Sequence, residues 1–300
     1  MTDRIEHISV CICTFRRPRC LKRLLRELDR QDTEGKFTYS IIVADNDQEQ
    51  SARAVTEDFA TASSIPVHYC VEPEQNIALA RNKAIGHASG DYIAFIDDDE
   101  FPAKNWLVML FKARNQHKGD GVLGPVKPIF EQQPPQWLIR GRFYERPEHQ
   151  TGSEITWREG RTGNVLFKSQ ILADIPGPFR RQFGSGSEDT DFFRRMAERG
   201  RVFTWCNEAI VYEFVPPMRW KRSYMLKRAL LRGQNQRHLG SFSGVAKSVV
   251  AVPLYMILLP FLLLFGQQLF MKYLIKLFDH TGKLLAVLGF TPLGNKYITE

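Results

Sequence analysis

The sequence has few cysteines, and their arrangement excludes a disulfide or zinc scaffold. There are five, an odd number, and none belongs to a C-x-x-C pair. Disulfide-rich folds need densely paired cysteines, and structural zinc sites need clustered thiolates and histidines. The first seven residues are polar and lack the apolar core of a signal peptide. We therefore expect reduced thiols and an N-terminal domain that stays in the cytoplasm.

A glycine-rich phosphate loop is missing after the first predicted strand. The apolar run Ile8–Cys13 is followed by Thr14-Phe-Arg-Arg-Pro18, which contains no glycine. A dinucleotide-binding dehydrogenase needs G-x-G-x-x-G at this point, because glycine lets the backbone approach the pyrophosphate closely. This absence excludes a dehydrogenase. It also argues against a sugar-nucleotide nucleotidyltransferase, which we keep as an alternative enzyme.

Acidic residues are absent from one long segment. No Asp or Glu occurs between Phe214 and Phe278, although the chain as a whole carries 41 basic and 33 acidic side chains, a net charge of +8. A local excess of positive charge favours an anionic partner. The basic residues are not interleaved with aromatic stacking positions, which disfavours nucleic acid. A non-enzymatic, membrane-bound glycan-binding protein remains an alternative. The basic residues concerned are Arg219, Lys221, Arg222, Lys227, Arg228, Arg232, Arg237, Lys247, Lys272 and Lys276.

A charge-free run follows within this basic segment. Ser248 to Met271 contains no charged residue, and a bilayer-crossing helix needs roughly 20 such residues. Pro253 and Pro260 interrupt the run, so a kinked span, a re-entrant hairpin, an in-plane helix and a buried core helix all stay open. The next segment, 272–290, mixes apolar residues with lysines and is predicted to form an amphipathic surface helix.

Strand and helix patterns alternate over the first two-thirds of the chain. Short apolar strands are predicted at 8–13, 41–44, 67–71, 92–96, 121–126 and 163–167, and amphipathic helices separate the first of them. This alternation predicts an α/β fold whose mostly parallel sheet is covered by helices on both faces. Ligands of such sheets bind beyond the carboxyl ends of the strands. Polar side chains just after each strand are therefore the candidates for binding and catalysis.

Acidic residues follow two of these strands. Asp97-Asp-Asp-Glu100 comes directly after 92–96, and the repulsion among four adjacent acids is relieved by a hard divalent cation. Asp97 and Asp99 are the predicted ligand pair, with a solvated acidic turn as the alternative. Asp45 follows 41–44 and can accept a hydrogen bond from the imide N–H of a base, or simply form a turn.

Two further features lie at predicted helices. Arg81 and Asn82 belong to the segment that leads into strand 92–96, and an arginine there suits a phosphate or base oxygen, or is an ordinary surface residue. Glu188 and Asp189 follow a Gly/Ser-rich turn at a helix start. They either stabilise the helix dipole or supply a general base.

In this order, these features resemble the family 2 glycosyltransferases with a GT-A fold. The similarity extends from about Ile8 to Tyr212. Within the family, the segment Tyr212–Arg219 after the last strand resembles the bacterial exopolysaccharide type, such as the succinoglycan glucosyltransferases. The resemblance implies an inverting transfer from a nucleotide sugar, UDP-hexose. One sugar per acceptor is expected, because the Q-x-x-R-W motif of processive synthases is missing. A metal-binding His of many relatives is replaced here by Glu213, so the third metal contact stays open.

The resemblance also implies roles for particular residues. Asp97 and Asp99 would form the D-x-D motif that holds Mn²⁺ or Mg²⁺. Asp189 would be the base, with Glu188 beside it. The residues that would hold the nucleotide sugar are Thr14, Arg16, Asp45, Arg81, Asn82, Asp97 and Asp98.

The predicted organisation has three parts. Residues 1–213 form the catalytic domain, 214–247 a basic helical linker, and 248–300 a hydrophobic, membrane-associated region. From the basic and apolar segments we expect a polyprenyl-diphosphate-linked or glycan acceptor, contact with a membrane surface, and no nucleic acid. The expected location is the cytoplasmic face of a bacterial inner membrane.

Overall fold

The computed structural model describes residues 4–236 and 242–293, which divide into two compact units. Unit 1 comprises Met1–Lys127, Arg146–Arg181 and Glu188–Glu213, and unit 2 comprises Pro128–Glu145, Gln182–Ser187 and Phe214–Glu300. The predicted catalytic domain, residues 1–213, contains all of unit 1 but also two segments of unit 2, so the predicted division of the chain into three parts stays a prediction. Arg237, in the predicted basic linker, and residues 294–300, in the predicted membrane-associated region, lie outside the described residues.

Unit 1 is built on a seven-stranded sheet in the order β3-β2-β1-β4-β8-β6-β9. Strands β1 to β4 are parallel, β8 is antiparallel to both neighbours, and β6 is parallel to β9. This arrangement confirms the predicted mostly parallel α/β sheet. The strands in this sheet are β1 (Glu6–Thr14), β2 (Phe37–Asp45), β3 (Val67–Val71), β4 (Tyr92–Ile96), β6 (Gly121–Leu123), β8 (Asn164–Lys168) and β9 (Phe203–Trp205).

A three-stranded sheet was not predicted. It consists of β5 (Glu100–Pro102), β10 (Val211–Phe214) and β7 (Val126–Ile129), in that order. β5 has three residues, too few to show an alternating pattern in the sequence. The predicted single strand at 121–126 is two strands, β6 and β7, because the chain leaves the large sheet at Gly124 and Pro125.

Helices cover both faces of the large sheet, as the alternation predicts. Successive residues of β1 point to opposite faces, so that Val10 and Ile12 enter one buried apolar cluster and Cys11 enters another. Pro18 occupies the first turn of α1, where its missing N–H leaves no bond unmade. The helices of unit 1 are α1 (Pro18–Leu28), α2 (Arg53–Ala62), α3 (Ile77–Gly86), α4 (Trp106–Gln116) and α6 (Glu188–Glu198).

Unit 2 is helical in its C-terminal part. The helices are α5 (Gln136–Gly141), α7 (Arg222–Asn235), α8 (Phe242–Leu264) and α9 (Gln267–Val287). The charge-free run 248–271 is therefore two helices, separated at Gly266 rather than at either proline, because Gly266 has a φ of +111° that side chains rarely adopt.

Among the described residues, one helix, Gly244–Leu264, is long and apolar enough by length and composition to cross a membrane. Its mean hydropathy is 2.1, and only 11% of its apolar window is buried. A core helix would be mostly buried, so the interpretation of this segment as a core helix does not fit.

Candidate active site

The predicted site residues meet at the carboxyl edge of β1, β2 and β4 in unit 1. Thr14 ends β1 directly opposite Asp45, which ends β2. On the other side of β1, the register pairs Cys11 with Phe95, so the acidic turn after β4 lies level with the end of β1. Parallel pairing therefore brings together segments that are far apart in the sequence.

Asp98 is held inside this edge. Its carboxylate accepts hydrogen bonds from Thr14 Oγ1 at 2.7 Å and from Arg17 Nη1 at 3.3 Å, and only 5% of the residue is exposed. Burial raises the pKa of Asp98 to about 7, since desolvation outweighs the nearby Arg17 guanidinium. Asp98 thus fixes the acidic turn against β1, and the turn is not a solvated one.

Asp97 and Asp99 point toward solvent more than Asp98 does. The Asp97 side chain is 46% exposed, and Asp99 accepts a bond from Arg17 Nη1 at 3.2 Å. Desolvation raises the pKa of Asp97, the Arg81 guanidinium opposes this rise, and the charges of Asp99 and Glu213 add to it. Asp97 is therefore the accessible carboxylate of the acidic cluster, whereas the Asp99 side chain is only 13% exposed.

Glu100 and Glu213 add negative charge behind them. They are directly opposite each other in the β5–β10 pair. Glu100 is fully buried, and its Oε2 accepts from the Asp97 amide at 3.1 Å while its Oε1 has no partner. Burial, with the charge of Asp97, raises the pKa of Glu100 well above its ordinary value. Arg146 compensates part of this charge, since its Nη2 lies 2.6 Å from Glu213 Oε2.

Gly163 closes the cluster from the loop before β8. A Cβ at this position would lie 2.6 Å from Glu100 Oε1 and 3.1 Å from Asp97 Oδ2. Any side chain would therefore displace the two carboxylates, which explains glycine in the Thr162-Gly-Asn164 segment.

Arg81 connects the acidic turn to the start of α6. Asn76 caps α3 by accepting hydrogen bonds from the amides of Ala78 and Leu79, and this fixes the helix that carries Arg81. Arg81 pairs with Glu188 through Nη1 and with Asp97 through Nη2, the latter at 3.3 Å. Burial opposes its charge, but Glu188 and Asp97 raise the pKa of Arg81 above its ordinary value. It is a buried cation, and the surface interpretation is wrong.

Glu188 and Asp189 have different surroundings at the start of α6. Glu188 is buried, and desolvation raises its pKa to about 7 against the opposing effect of Arg81. Among the described residues, the Asp189 carboxylate accepts local bonds from the amide and hydroxyl of Thr190, at 2.6 and 3.3 Å. Glu188 thus has a positioning contact, whereas Asp189 stays partly exposed.

Asp45 makes several hydrogen bonds within the protein. It is fully buried and accepts bonds from the Ala52 amide at 2.8 Å, the Asp47 amide at 3.2 Å and the Tyr69 hydroxyl at 2.9 Å. Burial raises its pKa. Arg16 lies beside the same loop, with its Nε 3.2 Å from Asp47 Oδ1 and its side chain 61% exposed. The contact of Asp45 with a nucleotide base stays a prediction.

Two amide side chains have structural partners. Asn82 donates to the Phe179 carbonyl at 2.7 Å and accepts from the Phe179 amide at 2.9 Å. Asn164 is buried and bonds Trp106 and the carbonyls of Pro125 and Ala209. Both residues hold backbone segments of the site together. The predicted contact of Asn82 with the nucleotide sugar stays a prediction.

A cavity of about 200 Å³ opens beside β8, β6 and β9. Arg146, His149, Arg158, Arg161 and Trp205 contribute to its lining. Arg146 also contacts Glu213, so this cavity adjoins the acidic cluster on the side away from β2 and β3. It therefore offers a basic and partly aromatic surface at the opposite half of the sheet from Asp45.

The acidic cluster fits a hard divalent cation. Its donors are carboxylate oxygens, and one of them, Glu100 Oε1, is buried without a partner. Within residues 4–236 and 242–293, no group of three or more His, Cys, Asp or Glu side chains is arranged to hold a metal ion. Mg²⁺ is commonly held by one or two carboxylates together with substrate phosphates. The assignment of Asp97 and Asp99 as the ligand pair stays a prediction, and it requires substrate phosphates to complete the coordination of the metal.

Comparison with known proteins decides the family. The model for glycosyl transferase family 2 matches residues 9–175, more than half of the chain. The chain belongs to this family. As a family 2 glycosyltransferase it is 34% identical over 240 residues to the succinoglycan biosynthesis protein ExoM of Rhizobium meliloti (strain 1021), covering 80% of this chain and 77% of that one. The glycosyltransferase AglE of Haloferax volcanii is 25% identical over 211 residues, covering 70% and 67% of the two chains.

Solved structures of glycosyltransferases share the fold. The mannosyltransferase PcManGT of Pyrobaculum calidifontis, in complex with GDP-Man and Mn²⁺, has a TM-score of 0.59 at 18% identity, covering 98% of this chain and 78% of that one. TarS 1–349 of S. aureus, in complex with UDP, has a TM-score of 0.54 at 18% identity, covering 95% and 93%. These similarities confirm the predicted GT-A fold of this glycosyltransferase.

Sequence reasoning missed three residues of the site. Arg17 lies between Arg16 and Pro18, and nothing in the sequence separates its role from that of Arg16. In the structure it is the residue directly before α1. Arg146 lies in an irregular stretch without periodicity, so nothing in the sequence relates it to Glu213. Tyr69 belongs to an alternating strand, where its hydroxyl contact with Asp45 follows from the β2–β3 register alone.

Proposed function

We propose that this chain transfers a single sugar from a nucleotide sugar, UDP-hexose, to an acceptor hydroxyl with inversion at the anomeric carbon. The observation that carries this proposal is the bridge that buried Arg81 makes between Asp97 of the acidic turn and Glu188 at the start of α6. This bridge holds the diphosphate-binding carboxylates and the candidate base on neighbouring elements. Inversion follows from a single in-line attack on the oxocarbenium-like centre.

Asp189 is the proposed general base. It takes the proton from the acceptor hydroxyl while the bond from that oxygen to the anomeric carbon forms and the bond to the diphosphate breaks. Glu188 is held by Arg81 and is a positioning residue. Asp97 and Asp99 would hold Mn²⁺ or Mg²⁺, which supplies positive charge to the diphosphate when bound. Thr14, Arg16, Asp45, Arg81, Asn82 and Asp98 form the proposed donor side of the site.

The acceptor is proposed to enter from the opposite side. The cavity lined by Arg158, Arg161 and Trp205 lies at β8, β6 and β9, whereas the proposed nucleotide side lies at β1 to β3. An aromatic ring beside cationic side chains suits a sugar that carries or adjoins an anionic group. A polyprenyl-diphosphate-linked sugar or a glycan has this chemistry.

We further propose a role in exopolysaccharide synthesis at the cytoplasmic face of a bacterial inner membrane. The similarity to a succinoglycan biosynthesis protein supports the pathway class. The acid-free basic segment Phe214–Phe278 supports membrane contact, since each Lys or Arg near an anionic surface contributes about 1 kcal/mol. The free cysteines at residues 11, 13, 20, 70 and 206 accord with a reducing compartment.

Donor turnover tests this proposal. The purified full chain is incubated with a panel of nucleotide sugars and with Mn²⁺ or Mg²⁺, and the release of free nucleotide is measured. One donor should dominate, and Asp99→Ala should abolish its metal-dependent turnover. Asp58→Ala, an exposed carboxylate on α2, is the matched control and should be unchanged. Metal-dependent turnover retained by Asp99→Ala would contradict the proposed site.

A further inference from the structure

The apolar helix α8 does not stand alone in unit 2, because α9 folds back along it. The two helices are joined by Phe265 and Gly266 only. Ser248 Oγ lies 2.8 Å from His280 Nδ1, and the rings of Tyr255 and Tyr273 are 5.6 Å apart. The partners of α8 thus run backward along α9, which defines an antiparallel hairpin.

The two sides of α8 differ sharply in exposure. Toward α9, Ser248 is fully buried and Leu259 is 8% exposed. Away from α9, five exposed apolar residues follow one another along α8 at intervals of four, three, four and three positions. They form a stripe that consists of Val250, Leu254, Ile257, Phe261 and Leu264, which are 49 to 82% exposed. We call this stripe the outer face of α8. Val249, Met256 and Leu263, which lie beside this stripe, are also 52 to 61% exposed, so the apolar surface of α8 is wider than the stripe alone.

The other helix of the hairpin, α9, is amphipathic and is fixed to α7. Asp279 accepts from Arg232 Nε and Nη2 at 2.8 and 2.7 Å. The helices cross closely, since a Cβ at Gly233 would overlap the Asp279 carbonyl and one at Gly282 would overlap the Leu230 carbonyl. α9 is therefore held against a helix rich in basic side chains, and it cannot slide away from α7 independently.

The pairing determines which charges lie beside the apolar helix. His280 lies beside Ser248, and the rings of His280 and Tyr273 both lie near the Tyr255 ring. Lys276 is on α9 between Tyr273 and His280, so it lies at the level of the first half of α8. A crossing orientation of α8 would place Lys276, Asp279 and His280 at the same depth as the first half of α8. Charged groups in the hydrocarbon interior are costly and are rarely placed there without an internal partner.

We infer that the α8–α9 hairpin lies in the plane of an anionic membrane, with the outer face of α8 in the acyl chains of one leaflet and α9 toward the headgroups, and that α8 does not cross the bilayer. The inference rests on the membrane contact proposed above and adds its geometry. The choice of an anionic surface follows from the absence of Asp and Glu between Phe214 and Phe278. A lipid surface is what we expect to cover the outer face of α8, since this stripe is continuous, apolar and flanked by lysines.

Depth measurements along α8 test the inference. A fluorescent amino acid is incorporated in the full chain at position 250, 257 or 264, and the protein is bound to vesicles of phosphatidylcholine and phosphatidylglycerol. Lipids that carry a nitroxide near the headgroup or near the chain end serve as quenchers. An in-plane helix should give stronger quenching by the shallow nitroxide at all three positions. Position 61, exposed on α2, is the control and should not be quenched.

Two outcomes would overturn the inference. A helix that crosses the bilayer would show the strongest deep quenching at position 257 and shallow quenching at 250 and 264. A surface that does not touch lipid would show no quenching at any of the three. Nucleotide release by the same labelled proteins is measured in parallel, so that a failed membrane geometry is distinguished from a failed transferase activity.

Discussion

The acidic cluster in unit 1 and the outer face of α8 in unit 2 place their side chains in opposite ways. The cluster buries charge: Asp98, Glu100, Glu188 and Arg81 are each at most 5% exposed. The hairpin exposes apolar side chains, of which Leu264 is 82% accessible. Both arrangements are unfavourable for an isolated protein in water, and both become favourable when a ligand or a membrane is present. Residues in the wrong environment are thus the strongest indication of function in each unit.

The largest effect is expected at the base. Asp189→Asn keeps the size of the side chain and removes its ability to accept a proton, so kcat should fall by about a thousandfold while the KM for the donor changes little. Steady-state nucleotide release with donor and acceptor measures both constants. Glu198→Gln, an exposed carboxylate on the same helix, is the control. A loss of threefold or less would assign the base to another residue.

The buried ion pair should show the next largest effect, on stability. Arg81→Ala leaves Glu188 as an unpaired buried carboxylate and should lower the free energy of unfolding by about 3 kcal/mol. In a Glu188→Gln background the same substitution should cost clearly less, because the carboxylate that then loses its partner is Asp97, which is 46% exposed, and not the buried Glu188. Urea denaturation of the four proteins measures this coupling. Additive effects would mean that the pair does not act as a unit.

The outer face of α8 should dominate membrane binding. Ile257→Ser together with Phe261→Ser removes two large side chains, each able to contribute about 1.5 kcal/mol when fully buried, and should weaken vesicle binding by about a hundredfold. Flotation with phosphatidylglycerol vesicles measures the change. Ile139→Ser, an exposed apolar residue on α5, should have no effect. Equal losses in the two proteins would indicate a general change in solubility.

The smallest effect is expected in the cavity. Arg158→Ala removes one exposed cation from its lining, so the KM for an anionic acceptor should rise by about threefold to tenfold, with an unchanged KM for the donor. An uncharged acceptor analogue should not distinguish the variant from the parent protein. A change in the donor KM instead would place the cavity on the nucleotide side.

Short-range patterns predicted the elements that carry the donor half. The strands that end near Thr14, Asp45 and Asp97 were recognisable because each is a short apolar run followed by a polar turn, and parallel pairing then requires their ends to meet. The Arg81–Glu188 pair was not predictable in the same way, because 107 residues separate its members. Only the tertiary structure brings the Arg81 and Glu188 side chains into contact.

The second half of the site depends on segments without periodicity. Arg146 reaches Glu213 from an irregular stretch, and β5 and β10 are too short for their pairing to be read from the sequence. The helix break at Gly266 was also missed, since the prolines at 253 and 260 are stronger helix breakers by propensity than a glycine. In the structure both prolines lie inside α8, and the run is interrupted only at Gly266.

The reversed direction of β8 has a consequence for how this enzyme can diversify. Because β8 runs against β4, Asn164 at its beginning pairs with Ile96 at the end of β4, and the loop before β8 enters the site without a crossover helix. The segment 130–161, which includes Arg158, is therefore free of the geometric constraint that ties β1 to β4 together. Insertions or replacements in its exposed parts would leave the order of those four strands intact, so that the proposed acceptor side can vary while the proposed donor side stays unchanged.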